Sequence, residues 1–270
     1  MRGVKGVILV TPNLRPYHTI ASKEIIKLFN AFSFEYVLVP LPEEVESLLL
    51  SYLIGEKTYE ELVNSIMSTY PWCSVLSRQY INMRPVLEVL KRMSSTVKFK
   101  VRCYSDVSST HAELMSLAEL ISLIIRARTT GRFNFDKLIG ILSKYLNASN
   151  KALRKLTGKV KEVLFSFKGC WLMISDFKGR YLASSLREYG IEDVKLLYIT
   201  PYVFTPLERL VRKYLYSSLS ADVAIDLVRA HVDFLWNYVL LSEDINDAYL
   251  TWLKEKYYQD YLTLMSKLYG

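Results

Sequence analysis

An α/β fold built on a mostly parallel sheet of about five strands is predicted by three observations. Short apolar runs such as Val7-Ile8-Leu9-Val10, Tyr36-Val37-Leu38-Val39 and Trp171-Leu172-Met173-Ile174 alternate with longer stretches of helical periodicity. Each run ends in polar or charged residues, where an open α/β sheet places its ligands. The 270 residues are 51% hydrophobic, enough to bury a sizeable core and to exclude wholesale disorder.

The elements follow in order. Residues 6–11 form the first strand. Residues 22–32 form a helix with Ile25, Ile26, Leu28 and Phe29 on its inner side. The second strand covers 36–39, and Pro42-Glu43-Glu44 suits the first turn of the next helix. Gly55 breaks that helix. Thr58-Tyr59-Glu60-Glu61 then caps another at 58–67. Pro71-Trp72 reads as a turn, 84–93 as a helix with Pro85 near its start, and 97–104 as the third strand. A helical block comes next: 108–128, stopped by Gly131, then 136–146 and 152–167. The fourth strand is 170–175, the following helix 180–189 stopped by Gly190, and the fifth strand 194–200 stopped by Pro201. Two or three helices fill 206–269. The domain reading is therefore an α/β domain at 1–205 with a helical insertion at about 107–168, and a C-terminal helical cap at 206–270 packed on the same domain.

No apolar run reaches the roughly 18 residues of a membrane span. No signal peptide is recognised at the N-terminus. Cys73, Cys103 and Cys170 are scattered singly, which suits buried thiols in a reducing cytoplasm rather than a disulfide framework or a zinc ribbon. Gln79 and Gln259 are the sole glutamines, a scarcity that points to a thermophilic source. The net charge is +8. Much of it lies between Lys144 and Lys168, where Lys151, Arg154, Lys155, Lys159 and Lys161 face Glu162 as the one acid. Such a stretch forms either a solvated helix face or a patch for nucleic acid.

The order of elements resembles the superfamily of erythromycin esterase-like, ChaN-like and TraB/Tiki-like proteins, over about residues 4 to 215. The matching places are Val7 to Val10 with Asn13-Leu14-Arg15-Pro16, Tyr36 to Pro42, Pro85 to Met93 followed by Val101 to Asp106, and Leu172 to Arg180 with its helix. The resemblance implies the fold and an ancestral hydrolytic site. At the first loop the family's histidine position falls near Asn13 or Leu14, and His18 comes several residues later. The acidic position after the second strand is Pro40, with Glu43 the nearest carboxylate. Asp106 is the best-kept residue, and Ser175-Asp176-Phe177-Lys178-Gly179 stands where the family carries Gly-x-x-His.

Two chemistries fit the remaining residues. His18, Asp106 and Asp176, with His111 nearby, would hold a divalent metal for a metal-assisted hydrolase. Alternatively, Arg15, Lys178 and Arg180 at the strand ends, with helix N-termini at about 19–22 and 179–182, would bind a phosphate, nucleotide or acidic side chain, with Asn13, His18, Asp106 and Asp176 around them. Salt bridges within the same cluster are the plainer use of these charges. No Gly-x-Ser-x-Gly elbow is present, and Cys73 has no recognisable histidine partner. His231 lies in an apolar helix as packing. Trp236, Tyr238, Tyr249, Trp252, Tyr257, Tyr258 and Tyr261 either cover the sheet or face a partner subunit. The favoured reading is a non-catalytic cytoplasmic binding protein with an anion- or partner-binding cleft, no cofactor and no membrane contact. A metal-assisted hydrolase and a nucleic-acid-binding subunit are the alternatives.

Overall fold

The structure is a computed structural model that describes residues 6–69, 74–105, 107–166 and 169–270. It contains a five-stranded, all-parallel sheet in the order β3-β2-β4-β1-β5. The strands are β1 (Gly6–Val10), β2 (Tyr36–Pro42), β3 (Lys100–Ser105), β4 (Trp171–Ser175) and β5 (Val194–Tyr198). The helices are α1 (Arg15–Ala31), α2 (Glu46–Leu53), α3 (Tyr59–Thr69), α4 (Ser74–Ser94), α5 (Val107–Thr130), α6 (Phe135–Phe165), α7 (Lys178–Glu188), α8 (Pro206–Tyr216), α9 (Ala221–Phe234), α10 (Ile245–Lys256) and α11 (Tyr258–Tyr269). No helix of the described residues is long and apolar enough to cross a membrane.

The chain divides into two compact units. The first holds the sheet and comprises residues up to 107 together with 153–200. β1 and β4 are buried along their whole length, as expected of strands covered on both faces. From β1 the chain steps toward one edge through β2 to β3, then returns across to β4 and β5. Right-handed crossovers therefore put α1 to α4 on one face and the end of α6 with α7 on the other. The core follows that division. Ile8, Val10, Leu38, Trp171, Met173 and Val194 pack with Val160 and Leu164 of α6 and Leu182, Ala183 and Leu186 of α7. Val7, Leu9, Val37 and Leu172 alternate with these and are also fully buried.

Local chemistry explains several boundaries. The reciprocal capping box at α3 is present: Thr58 N donates to Glu61 Oε2 at 2.7 Å, and Glu61 N to Thr58 Oγ1 at 3.1 Å. Gly55, Gly131 and Gly190 take positive φ at the ends of α2, α5 and α7. The edge strand β3 is closed by Glu46, which accepts from Cys103 N at 2.8 Å and from Arg102 Nη1 at 2.6 Å.

Other boundaries correct the sequence reading. α1 begins at Arg15, not residue 22, because Pro16 is well placed in a first helical turn. α4 begins at Ser74 and carries Pro85 inside it rather than near its start. The two helices expected at 136–146 and 152–167 are one, α6, continuous through Asn147 to Asn150. β2 continues through Pro40 to Pro42. β3 starts at Lys100, three residues later than expected. The C-terminal segment holds four α-helices, with a π-helical stretch at Leu235–Val239. The turn expected at Pro71-Trp72 lies outside the described residues.

The second unit comprises residues 108–152 and 201–269. Its core joins Leu120 and Ile124 of α5, Leu138 and Leu142 of α6, Leu207 and Leu210 of α8, and Val228 and Val232 of α9. Trp252 is buried against Phe234 (5.4 Å between ring centroids), Tyr249 (5.7 Å) and Tyr257 (5.0 Å). Tyr238 is also buried, whereas Trp236 and Tyr258 are exposed.

Candidate functional site

The C-terminal ends of β1 and β4 define the site. These strands are neighbours in register, Val10 opposite Ser175. The pairing continues one step beyond them, with Thr11 N donating to Ser175 O at 2.8 Å. From this joint one tail leads into α1 and the other into α7, which lie on opposite faces of the sheet. Adjacent strands whose connections diverge in this way form a topological switch point.

The β1 tail is held rigidly. Leu14 N donates to Pro12 O at 2.8 Å, and buried Asn82 of α4 donates through Nδ2 to Asn13 O at 2.8 Å. The Asn13 and Arg15 side chains stay exposed. His18 stands in the first turn of α1, only 3% exposed, and neither ring nitrogen has a hydrogen-bond partner. Burial holds its pKa down to about 3, so it is neutral at pH 7 and adds no cationic charge. Thr200, just beyond β5, is 7% exposed, and its hydroxyl is likewise unpartnered.

The β4 tail differs from a simple anion cradle. Asp176 Oδ1 accepts from Lys178 N at 2.8 Å, and Asp176 O accepts from Gly179 N at 2.9 Å. The first two amides of α7 therefore already face a group of the chain itself, and one partner is a carboxylate. Gly179 permits this seating: a Cβ there would lie 3.0 Å from Ile8 Cγ2 and 3.1 Å from Ser175 Cβ and Val10 Cγ2. Lys178 is half-buried and Arg180 exposed.

On its other side β4 parts from β2. Their pairing stops at Leu38 and Met173, while β2 shifts register between Val39 and Pro42. Pro40 brings no N–H to extend the ladder. Tyr104 reaches across from β3 instead and donates its hydroxyl to Ile174 O at 2.6 Å. Its ring is fully buried, and burial pushes its phenol pKa up, opposed by a hydrogen bond with Ser175.

The expected residues are distributed as follows along the sheet. Asn13, Arg15, His18, Asp176, Lys178 and Arg180 occupy the tails of two adjacent strands or the helices they enter. Asp106 lies outside the described residues. The order of the sheet puts the β3 tail two strands from β4 and three from β1, about 10 and 14 Å at the usual spacing. His111 is exposed on α5. Among the described residues no three His, Cys, Asp or Glu side chains converge on a metal position.

The basic patch is thinner than its composition suggests. Lys159 is paired with Glu43 at 2.7 Å, and Lys161 lies over the Tyr189 ring at 3.9 Å. Lys151, Arg154 and Lys155 remain exposed along α6. Tyr104, Asn82, Thr200 and the close fit of Gly179 were not singled out from the sequence. The alternation of Arg102 and Tyr104 with Val101 and Cys103 was the one signal for Tyr104.

Compared with protein families, with curated proteins and with solved structures, the chain matches none.

Proposed function

We propose that the chain is a non-catalytic binding protein that takes a small anionic ligand at the joined tails of β1 and β4. Arg15 and Lys178 supply the cationic contacts, and the N-terminal turn of α1 faces the same end of the sheet. The observation that carries this reading is the Thr11–Ser175 hydrogen bond, which makes the two basic tails immediate neighbours. The unpartnered, buried His18 and Thr200 support it, since buried polar groups normally find partners. Descent from a hydrolase of the erythromycin esterase or TraB/Tiki type accords with the order of elements and with the absence of histidine from the turn after β4.

The test is calorimetric titration of the full chain with inorganic phosphate and with ATP. Arg15→Ala and Lys178→Ala are each expected to weaken binding at least tenfold. Asp176→Asn keeps an acceptor for the α7 amide but removes the competing charge, so it is expected to tighten binding severalfold. Unchanged affinity in both alanine variants would remove the proposal. A rise in melting temperature with Zn²⁺ or Mn²⁺ that Asp176→Asn abolishes would favour the metal-assisted hydrolase instead.

A further inference from the structure

At the opposite end of the sheet, where β2 and β3 begin, the first unit forms a cavity of about 590 Å³. Its walls include Leu53 and Ile54 at the end of α2, Ser95 and Val97 after α4, and Phe99 with Lys100 at the start of β3. A second hollow of about 680 Å³ shares Leu53, Ile54 and Ser95 and adds Lys91 and Arg92, so the two make one groove. Small-molecule sites occupy about 300–1,000 Å³. The first cavity alone, about 590 Å³, lies in that range.

The floor is apolar. Leu53 is buried, and Phe99 leans on Phe29 with ring centroids 5.0 Å apart, Phe29 in turn meeting Phe34 at 5.4 Å. The rim is cationic, with Arg92, Lys98 and Lys100 exposed. Two carboxylates also line the groove, one of them paired and the other, Glu35, exposed at its edge. Glu88 pairs with Arg84 at 2.7 Å, and Glu35 lies over Gly169, in the space a Cβ there would fill. Ile54, 70% exposed, stands between the two hollows. Its aliphatic side chain offers a bound hydrocarbon an apolar contact where the two hollows join. Stacked nucleobases fit poorly. Lys91 Nζ sits 4.5 Å from the centroid of the Tyr52 ring, and Lys100 Nζ 5.7 Å from that of Tyr36.

We propose that this groove binds a small amphipathic organic anion, with its hydrocarbon or aryl body over Leu53, Ile54 and Phe99 and its phosphate, carboxylate or sulfonate head at Lys98 and Lys100. Charge complementarity and the apolar floor select this class together, since neither an inorganic ion nor an uncharged hydrocarbon would use both. The site is separate from the β1 and β4 tails.

The test uses the full chain and octyl phosphate as the probe, below its micellar concentration, with inorganic phosphate and octanol as controls. Octyl phosphate is expected to bind at least tenfold more tightly than either control. The double variant Lys98→Glu/Lys100→Glu and the single variant Ile54→Ser, all at exposed positions, are each expected to weaken it at least fivefold. Arg15→Ala and Lys178→Ala are expected to leave it unchanged, which separates this site from the one above. The proposal is overturned if octyl phosphate does not bind, if the groove variants bind it like the parent, or if inorganic phosphate binds equally well to a chain carrying both Arg15→Ala and Lys178→Ala, which lacks the site above. Sedimentation with phosphatidylglycerol vesicles without binding of monomeric octyl phosphate would assign the surface to a bilayer and overturn the cavity site.

Discussion

Two glycines in the first unit should respond in opposite directions to the same substitution. Gly179 opens α7 against β1 and β4, and an added Cβ would stand 3.0–3.1 Å from Ile8 Cγ2, Ser175 Cβ and Val10 Cγ2. Carbon atoms prefer about 3.5–4.0 Å, and overpacking of a filled core costs about 1–3 kcal/mol. Alanine recovers about 0.4–1 kcal/mol by restricting the unfolded chain. Gly179→Ala is therefore expected to destabilise by about 0.5–2 kcal/mol. Gly158 lies inside α6 with nothing within 4 Å of its would-be Cβ. There, Gly158→Ala is expected to stabilise by about 0.5–1 kcal/mol through helix propensity alone. Both residues belong to the same compact unit, so thermal denaturation followed by far-ultraviolet dichroism compares the two variants on the same footing. At roughly 2–4 °C per kcal/mol for a fold of this size, the two melting temperatures should separate by several degrees. A neutral or stabilising Gly179→Ala would refute the reasoning: α7 could then move off the strands, and the placing of Asp176 and Lys178 would not depend on that close fit.

Acid should weaken the fold through its buried histidines. Unfolded His18 takes up its proton near pH 6.5, whereas burial holds the folded imidazole down to about 3. Across that window the unfolded state binds the extra proton, so stability is full above the window and falls as pH drops, by up to about 1.4 kcal/mol per pH unit. His18→Leu is expected to flatten the dependence of stability on pH between 6 and 4 by about that slope, measured by denaturant titration; an unchanged slope would mean that His18 titrates normally. Tyr104→Phe leaves the Ile174 carbonyl without the phenol that donates to it at 2.6 Å. A loss of about 1–3 kcal/mol is expected in the same assay, and a neutral outcome would mean that another donor or water takes the place of the phenol.

The alternating architecture was legible because buried parallel strands read as short apolar runs, and Val7 to Val10 and Trp171 to Ile174 carry nothing else. The adjacency of the β1 and β4 tails was not. It depends on strand order, and no local pattern in residues 6–15 or 171–180 encodes which strands pair. Two helix limits fell short beside prolines. Pro16 fits a first turn, and Pro85 lies within α4, although both invite a boundary. The continuity of α6 was hidden by Asn147, Ser149 and Asn150, polar residues that resemble a loop yet lie within the helix. Asp176 was legible as a strand-end acid but not as the cap of α7, since that role follows from its 2.8 Å contact with the Lys178 amide.

The two sides of β4 differ at this end of the sheet. In this chain β2 turns away from β4 beyond Leu38, and the opening is occupied by the buried ring of Tyr104, fastened to Ile174. The β1 side retains exposed Asn13 and Arg15, half-buried Lys178 and a rigid turn held by Asn82. The β1–β4 joint keeps Asn13 and Arg15 facing solvent, whereas Glu43 and Glu44, exposed after β2, would repel an anion, so Arg15 and Lys178 are the residues whose removal an anionic ligand should feel.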